Sequence, residues 1–69
     1  MKTREVNRRI EKLGGIYLRT RGSHRVYEAG PVGATVHTSV PVHTNDIPIG
    51  TLRKIEKDLE PVFGKGWLR

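Results

Sequence analysis

The first apolar pattern in the chain has the period of an α-helix. Its members follow the i, i+4, i+7 spacing of one helical face: Val6, Ile10 and Leu13. Thr3 is a suitable N-cap, and Gly14 and Gly15 supply a stop signal. The pattern therefore predicts an amphipathic helix over residues 3–13, with its apolar side in the core.

A second stripe at helical spacing lies near the end of the chain, at Ile49, Leu52, Ile55 and Leu59. Pro48 suits the first turn of a helix, and Glu60-Pro61 is expected to end it. We expect these four side chains to lie in the hydrophobic core. The tail, residues 61–69, either packs back on the domain or waits for a partner, and the pattern does not decide between these.

Between the two helical patterns the chain alternates as β-strands do, over residues 16–21, 24–29 and 35–40. Gly22-Ser23 fits a two-residue hairpin turn, and Pro41 is expected to end the third strand. The order of elements predicts a two-layer α+β domain spanning residues 1–69, with a core at about 3–60, in which two helices cover one side of a three-stranded antiparallel sheet.

A two-residue turn also predicts which side chains share a face of the sheet, because side chains alternate along a strand. The side toward the helices is expected to carry Ile16, Leu18, Tyr27, Val36, Thr38 and Val40. The other side is expected to carry Tyr17, Arg19, Arg21, His24, Val26, Glu28, His37 and Ser39. This arrangement places the imidazole of His24 outside the core, next to two arginines.

Charge narrows the function classes. Thirteen Lys and Arg against seven Asp and Glu give a net charge of +6, and an isoelectric point near 10.3 is typical of proteins that contact nucleic acid. The basic side chains of the predicted second helix, Lys54 among them, suit contacts with phosphate. Those of the first helix fit a solvated face equally well.

Several classes of function are disfavoured. The chain has no cysteine, which excludes disulfides and zinc ribbons. A chain of 69 residues offers no deep pocket for a cofactor, and its three histidines, at positions 24, 37 and 43, lack metal-ligand spacing. We therefore expect neither cofactor nor metal. With no signal peptide or membrane span visible, we expect a cytoplasmic protein.

Two motifs resemble those of a known family. One is G-S-H at residues 22–24, followed by Tyr27; the other is I-P-I-G-T-L at 47–52, preceded by Val40-Pro41 and His43 and followed by I-E-K at 55–57. In this order they resemble the HicA toxins, ribonucleases of HicA–HicB toxin–antitoxin systems whose fold is similar to double-stranded-RNA-binding domains. The resemblance covers about residues 5–59. It implies that His24 is catalytic, that messenger RNA is cleaved without a metal, and that a HicB-type antitoxin neutralises the protein.

The chemistry of His24 supports the same activity independently. Imidazole can take up a proton near neutral pH, and RNA carries its own nucleophile in the 2′-hydroxyl. Cations or backbone amides near the turn can stabilise charge on the phosphate. The residues expected to bind RNA are Arg19, Arg21, Ser23, Arg25 and Lys54.

Other interpretations stay open. The chain is alternatively a non-catalytic RNA-binding module, or a protein-interaction part whose basic surface binds an acidic partner. His24 alone would more often be an exposed turn residue without a role. His37 is a solvated strand residue or an acid partner for His24, and His43 more plausibly braces its loop than does chemistry. We expect the toxin alone to be monomeric.

Overall fold

The computed structural model describes residues 1–42 and 45–69. Its elements are α1 (Thr3–Lys12), β1 (Ile16–Arg21), β2 (His24–Ala29), β3 (Val36–Pro41) and α2 (Ile49–Phe63). The strands form one antiparallel sheet in the order β1-β2-β3. Side chains of both helices join those of the sheet in one apolar cluster, and the predicted α+β architecture is confirmed.

The core lies between the helices and one side of the sheet, called the helix face here. Its fully buried apolar side chains are Val6, Ile10, Tyr27, Val40, Ile55 and Leu59. The opposite side of the sheet, the open face, carries no helix in the described part of the chain. Neither helix there is long and apolar enough to cross a membrane.

The start of α1 differs from the prediction by one residue. Lys2 is the N-cap, and its backbone N–H donates to the Glu5 carboxylate at 3.1 Å. Thr3 is the first residue inside the helix, and its hydroxyl donates to the carbonyl of Pro41 at 2.8 Å. A tertiary contact thus takes the hydroxyl that sequence reasoning assigned to capping. Leu13, expected in the core, follows the helix and is 45% exposed.

The β1–β2 hairpin confirms the predicted turn and corrects the predicted strand. Gly22 has φ +60° while Ser23 has negative φ, as in the type II′ turns that suit two-residue hairpins, and Arg21 faces His24. A bulge at Leu18 then shifts the register, so that Tyr17 and not Leu18 faces Tyr27.

The bulge changes which side chains of β1 lie on each face. Tyr17 belongs to the helix face and not to the open face as predicted. The prediction that Ile16 and Leu18 are core residues is wrong, since they are 60% and 38% exposed. Ile16 faces Glu28 on the open side. Alternation in the sequence cannot reveal the extra residue, because Ile16 and Leu18 look like one apolar face.

β3 spans Val36–Pro41, one residue later than the predicted 35–40, and its two faces follow the prediction. Val36, Thr38 and Val40 lie toward the helices, while His37 and Ser39 are exposed on the open face. Pro41 is the last residue of the strand, so its missing N–H does not interrupt any further pairing between β2 and β3.

The expected end of α2 at Glu60-Pro61 is wrong, because the helix continues to Phe63 and caps at Gly64. Pro61 lies in the last turn of α2. It lacks the backbone N–H that would donate to a carbonyl one turn earlier, and it does so at a helix end where other carbonyls also lack partners. Ile49, expected in the core, is 67% exposed.

The tail packs back on the domain. Trp67 is buried, donates from its indole N–H to the Glu56 carbonyl at 2.7 Å, and meets Phe63 edge to face with ring centroids 5.2 Å apart. Its carbonyl accepts a hydrogen bond from the Arg9 guanidinium at 3.1 Å. The segment after α2 therefore connects the two helices.

Candidate active site

His24 is the first residue of β2 and directly follows the hairpin turn. Its side chain is exposed. It projects from the open face, because side chains alternate along β2 and Tyr27, three positions later, is buried on the helix face. Among the described residues, none holds the imidazole by a hydrogen bond or an ion pair. Within the part of the chain that the structure describes, the ring is therefore open to solvent.

Two hydrogen bonds fix the backbone around this histidine. The Val42 N–H donates to the carbonyl of Ser23 at 2.8 Å, which fastens the turn to the chain leaving β3. The Thr3 hydroxyl holds the carbonyl of Pro41, the residue that pairs with His24 across the sheet. The tip of the hairpin is thus fixed from β3 and from α1, while the side chain on its open side stays free to react.

Two arginines share the open face with the imidazole. Arg21 stands directly opposite His24, and Arg19 faces Val26 on the same side. Both are exposed, and neither makes an ion pair within the described part of the chain. Directly opposite residues have Cβ atoms about 5 Å apart, so a phosphate next to the imidazole lies within reach of at least Arg21.

His37 is not close to His24. It faces Glu28, and its Nε2 lies 3.5 Å from the Glu28 carboxylate. Glu28 stands four residues along β2 from His24, a separation of about 13 Å at the usual rise of a strand. The hypothesis that His37 is the acid partner of His24 therefore has no support in this geometry. His43, the remaining histidine, lies outside the described residues.

Arg25 lies on the helix face, behind His24. Its guanidinium stands over the Tyr17 ring, 4.3 Å from the centroid, and its Nε donates to the Tyr27 hydroxyl at 3.2 Å. It also lies 3.7 Å from the Glu11 carboxylate. These contacts give Arg25 a packing role that sequence reasoning missed, because it depends on the bulge that brings Tyr17 to this face.

The Tyr27 hydroxyl is the centre of this network. It donates to Glu11 at 2.7 Å and accepts from Arg25. Burial raises the pKa of Tyr27 to about 12, the hydrogen bond to Glu11 acts in the same direction, and Arg25 partly opposes both. Tyr27 therefore stays a neutral donor at any physiological pH, and its role is to join α1 to the sheet.

Ser23 and Lys54, both expected to bind RNA, lie in different places. Ser23 is exposed within the turn next to His24. Lys54 lies on α2, where its ammonium is 2.9 Å from Asp58, which also accepts the Thr38 hydroxyl. The structure thus groups Ser23, Arg19 and Arg21 around the imidazole and leaves Lys54 and Arg25 outside that group.

Comparison with known proteins gives a family. A family model described as the HicA toxin of bacterial toxin–antitoxin systems matches residues 3–60. Searches among curated proteins and among solved structures found no match. The family match includes all five helices and strands, apart from the last turn of α2, together with the hairpin that carries His24. The chain therefore belongs to the HicA toxin family of bacterial toxin–antitoxin systems.

Proposed function

We propose that this toxin is an endoribonuclease that cleaves messenger RNA without a metal and uses His24 as its catalytic group. The observation that carries the proposal is an exposed imidazole on the open face, with Arg21 directly opposite and no partner of its own among the described residues. Family membership supports a toxin, and the placement of His24 supports this chemistry for it.

The reaction that suits the site is attack by the neighbouring ribose. His24 removes the proton from the 2′-hydroxyl, the 2′-oxygen bonds to phosphorus, and the bond from phosphorus to the 5′-oxygen breaks. The leaving oxygen takes a proton from the protonated imidazole or from water, which reaches the open face freely. The products are a 2′,3′-cyclic phosphate and a 5′-hydroxyl.

The arginines of the open face supply the electrostatic part. Arg21 and Arg19 offer guanidinium donors to the phosphate oxygens, and the Ser23 hydroxyl adds a neutral donor at the turn. Lys54 contributes to RNA binding as a longer-range positive charge on α2. Arg25 contributes from the opposite side of the sheet.

We further propose that a HicB-type antitoxin neutralises the protein by covering the open face around His24. A partner bound there excludes RNA by occupying the surface that carries His24. The free toxin acts as a monomer in the cytoplasm, where its messenger RNA substrate is found.

The test is a cleavage assay with purified protein and an RNA transcript in excess EDTA. We expect cleavage in EDTA by the unchanged protein, products that end in a 2′,3′-cyclic phosphate and a 5′-hydroxyl, and cleavage slowed at least about 100-fold by His24→Ala. Fragments carrying a 5′-phosphate, or equal cleavage by the two proteins, would contradict the proposal.

A non-catalytic RNA-binding module is the second candidate, and the net charge of +6 favours it. It predicts that neither protein cuts RNA while both retard it in a gel with steep salt dependence. The same assay therefore separates the two candidates.

A further inference from the structure

We propose that a groove along α1, on the helix face behind His24, binds the RNA strand next to the cleavage position. This inference rests on the proposed function, whose substrate is RNA. The groove has a volume of about 380 Å³ and is lined by Thr3, Arg4, Asn7, Arg8, Glu11 and Arg25. None of these residues lies on the open face with His24. Three of them make contacts within the domain: Thr3 with Pro41, and Glu11 and Arg25 with Tyr27.

The groove is positively charged where a strand would enter. Arg4 and Arg8 stand four positions apart and therefore project from the same side of α1. Both are exposed, and neither is ion-paired within residues 1–42 and 45–69. Glu11, the acidic group that faces them, already accepts the Tyr27 hydroxyl and lies beside Arg25. The groove therefore keeps a net positive charge available to phosphate.

The groove and the imidazole lie at the same end of the sheet. Arg25 follows His24 in β2, so the two side chains project to opposite faces. Thr3, at the other end of the groove, holds the carbonyl of Pro41, which pairs with His24. A single strand that passes around this end of the sheet contacts the imidazole on one side and the groove on the other.

The experiment compares two double variants of equal charge, both carrying His24→Ala so that the RNA survives. Arg4→Gln with Arg8→Gln removes the two groove cations that α1 supplies, and Lys12→Gln with Lys65→Gln removes two positive charges that do not line the groove. Gln keeps a helix propensity close to that of Arg, and thermal melting verifies that both variants fold. The probe is a single-stranded RNA oligonucleotide, measured at several salt concentrations.

We expect the groove variant to lose about tenfold in RNA affinity and about 1.4 in salt slope, the value for two phosphate contacts on a single strand. The control should lose less than about half of either effect, because neither of its side chains lines the groove. Equal losses in the two variants overturn the inference, and so does a groove variant that binds RNA as tightly as the His24→Ala protein. An acidic protein as the true ligand of the groove produces that last result.

All of these readouts measure binding and are independent of cleavage. If the groove variant loses affinity but no His24-dependent cleavage is found, the groove is supported and the enzyme is rejected. If cleavage depends on His24 but the groove variant keeps its affinity for RNA, only the groove is rejected.

Discussion

The polar and charged side chains on the two faces of the sheet differ in whether they have partners within the domain. On the helix face, the Arg25 guanidinium, the Glu11 carboxylate and the Tyr27 hydroxyl satisfy one another within 3.7 Å. On the open face at the hairpin tip, Arg21 and His24 face each other and have no partner in the described chain. The first set holds the domain together. The second adds little to stability, which is expected of groups that serve a ligand.

Replacing His24 with Ala should produce the largest effect and affect function alone. Loss of a general acid or base lowers the cleavage rate by about 10²–10⁴-fold. The free energy of unfolding should change by less than about 0.5 kcal/mol, because the side chain is exposed. Single-turnover cleavage and urea denaturation measure the two quantities. A large loss of stability would mean that the imidazole is structural and would remove the contrast between the faces.

Tyr27→Phe should show the reverse behaviour. It removes the hydroxyl that joins Glu11 and Arg25, and we expect a loss of about 1–2 kcal/mol in the free energy of unfolding. Tyr17→Phe is the matched control, since its hydroxyl contacts only the exposed Thr20 among the described residues, and it should cost less than about 0.5 kcal/mol. Urea denaturation of the two variants side by side gives the comparison. Equal losses would show that the network on the helix face is not stabilising.

The same tyrosine predicts a dependence on alkaline pH. The pKa of Tyr27 rises from 10.0 to about 12 on folding, so between these values the folded state holds a proton that the unfolded state has released. The contribution is complete below pH 10 and is lost as pH rises toward 12. Denaturation of the unchanged protein and of Tyr27→Phe over this range should therefore show a steeper loss of stability in the unchanged protein. Parallel curves would contradict the assigned pKa.

Arg19→Gln with Arg21→Gln should weaken RNA binding while leaving the fold intact. If each arginine contacts one phosphate, the salt slope falls by about 1.4 for a single strand. Lys12→Gln with Lys65→Gln again controls for net charge. Filter binding over a range of salt concentrations is the measurement, and a slope equal to that of the control would show that these arginines are solvated charges.

His37→Ala should have the smallest effect. Its ring pairs with Glu28 about 13 Å along the strand from His24, so cleavage should proceed within about twofold of the normal rate. Initial rates of the two proteins decide the matter. A decrease comparable to that of His24→Ala would mean that the two histidines act together after all.

The sequence predicted the parts of this site that depend on short-range rules. The Gly22-Ser23 turn fixes the pairing of Arg21 with His24, and the alternation of β3 follows from Val36, Thr38 and Val40. The bulge at Leu18 was not predictable, because an extra residue between two apolar positions leaves no mark in the pattern. The contact of Thr3 with Pro41 was missed for a similar reason: a hydroxyl at a helix start usually caps, and only the tertiary fold brings a carbonyl to it.

Helix ends were predicted less well than the turn. Pro61 reads as a terminator by local rules, but Phe63 and the buried Trp67 hold the last turn of α2 in place through packing. The groove of Arg4 and Arg8 could have been suspected from their spacing along α1. That Glu11, which lines the same groove, is engaged by Tyr27 and Arg25 is visible only in three dimensions.

The bulge at Leu18 makes β1 behave as two short strands joined end to end, each with its own alternation. Because the turn fixes the pairing of Arg21 with His24, we expect a change of chain length between α1 and the bulge to leave the residues near the turn in register. Insertions and deletions upstream should therefore leave the pairing of His24 unchanged. Variants lengthened or shortened by one residue at Gly14-Gly15 should keep their reactive hairpin in register even where their packing suffers.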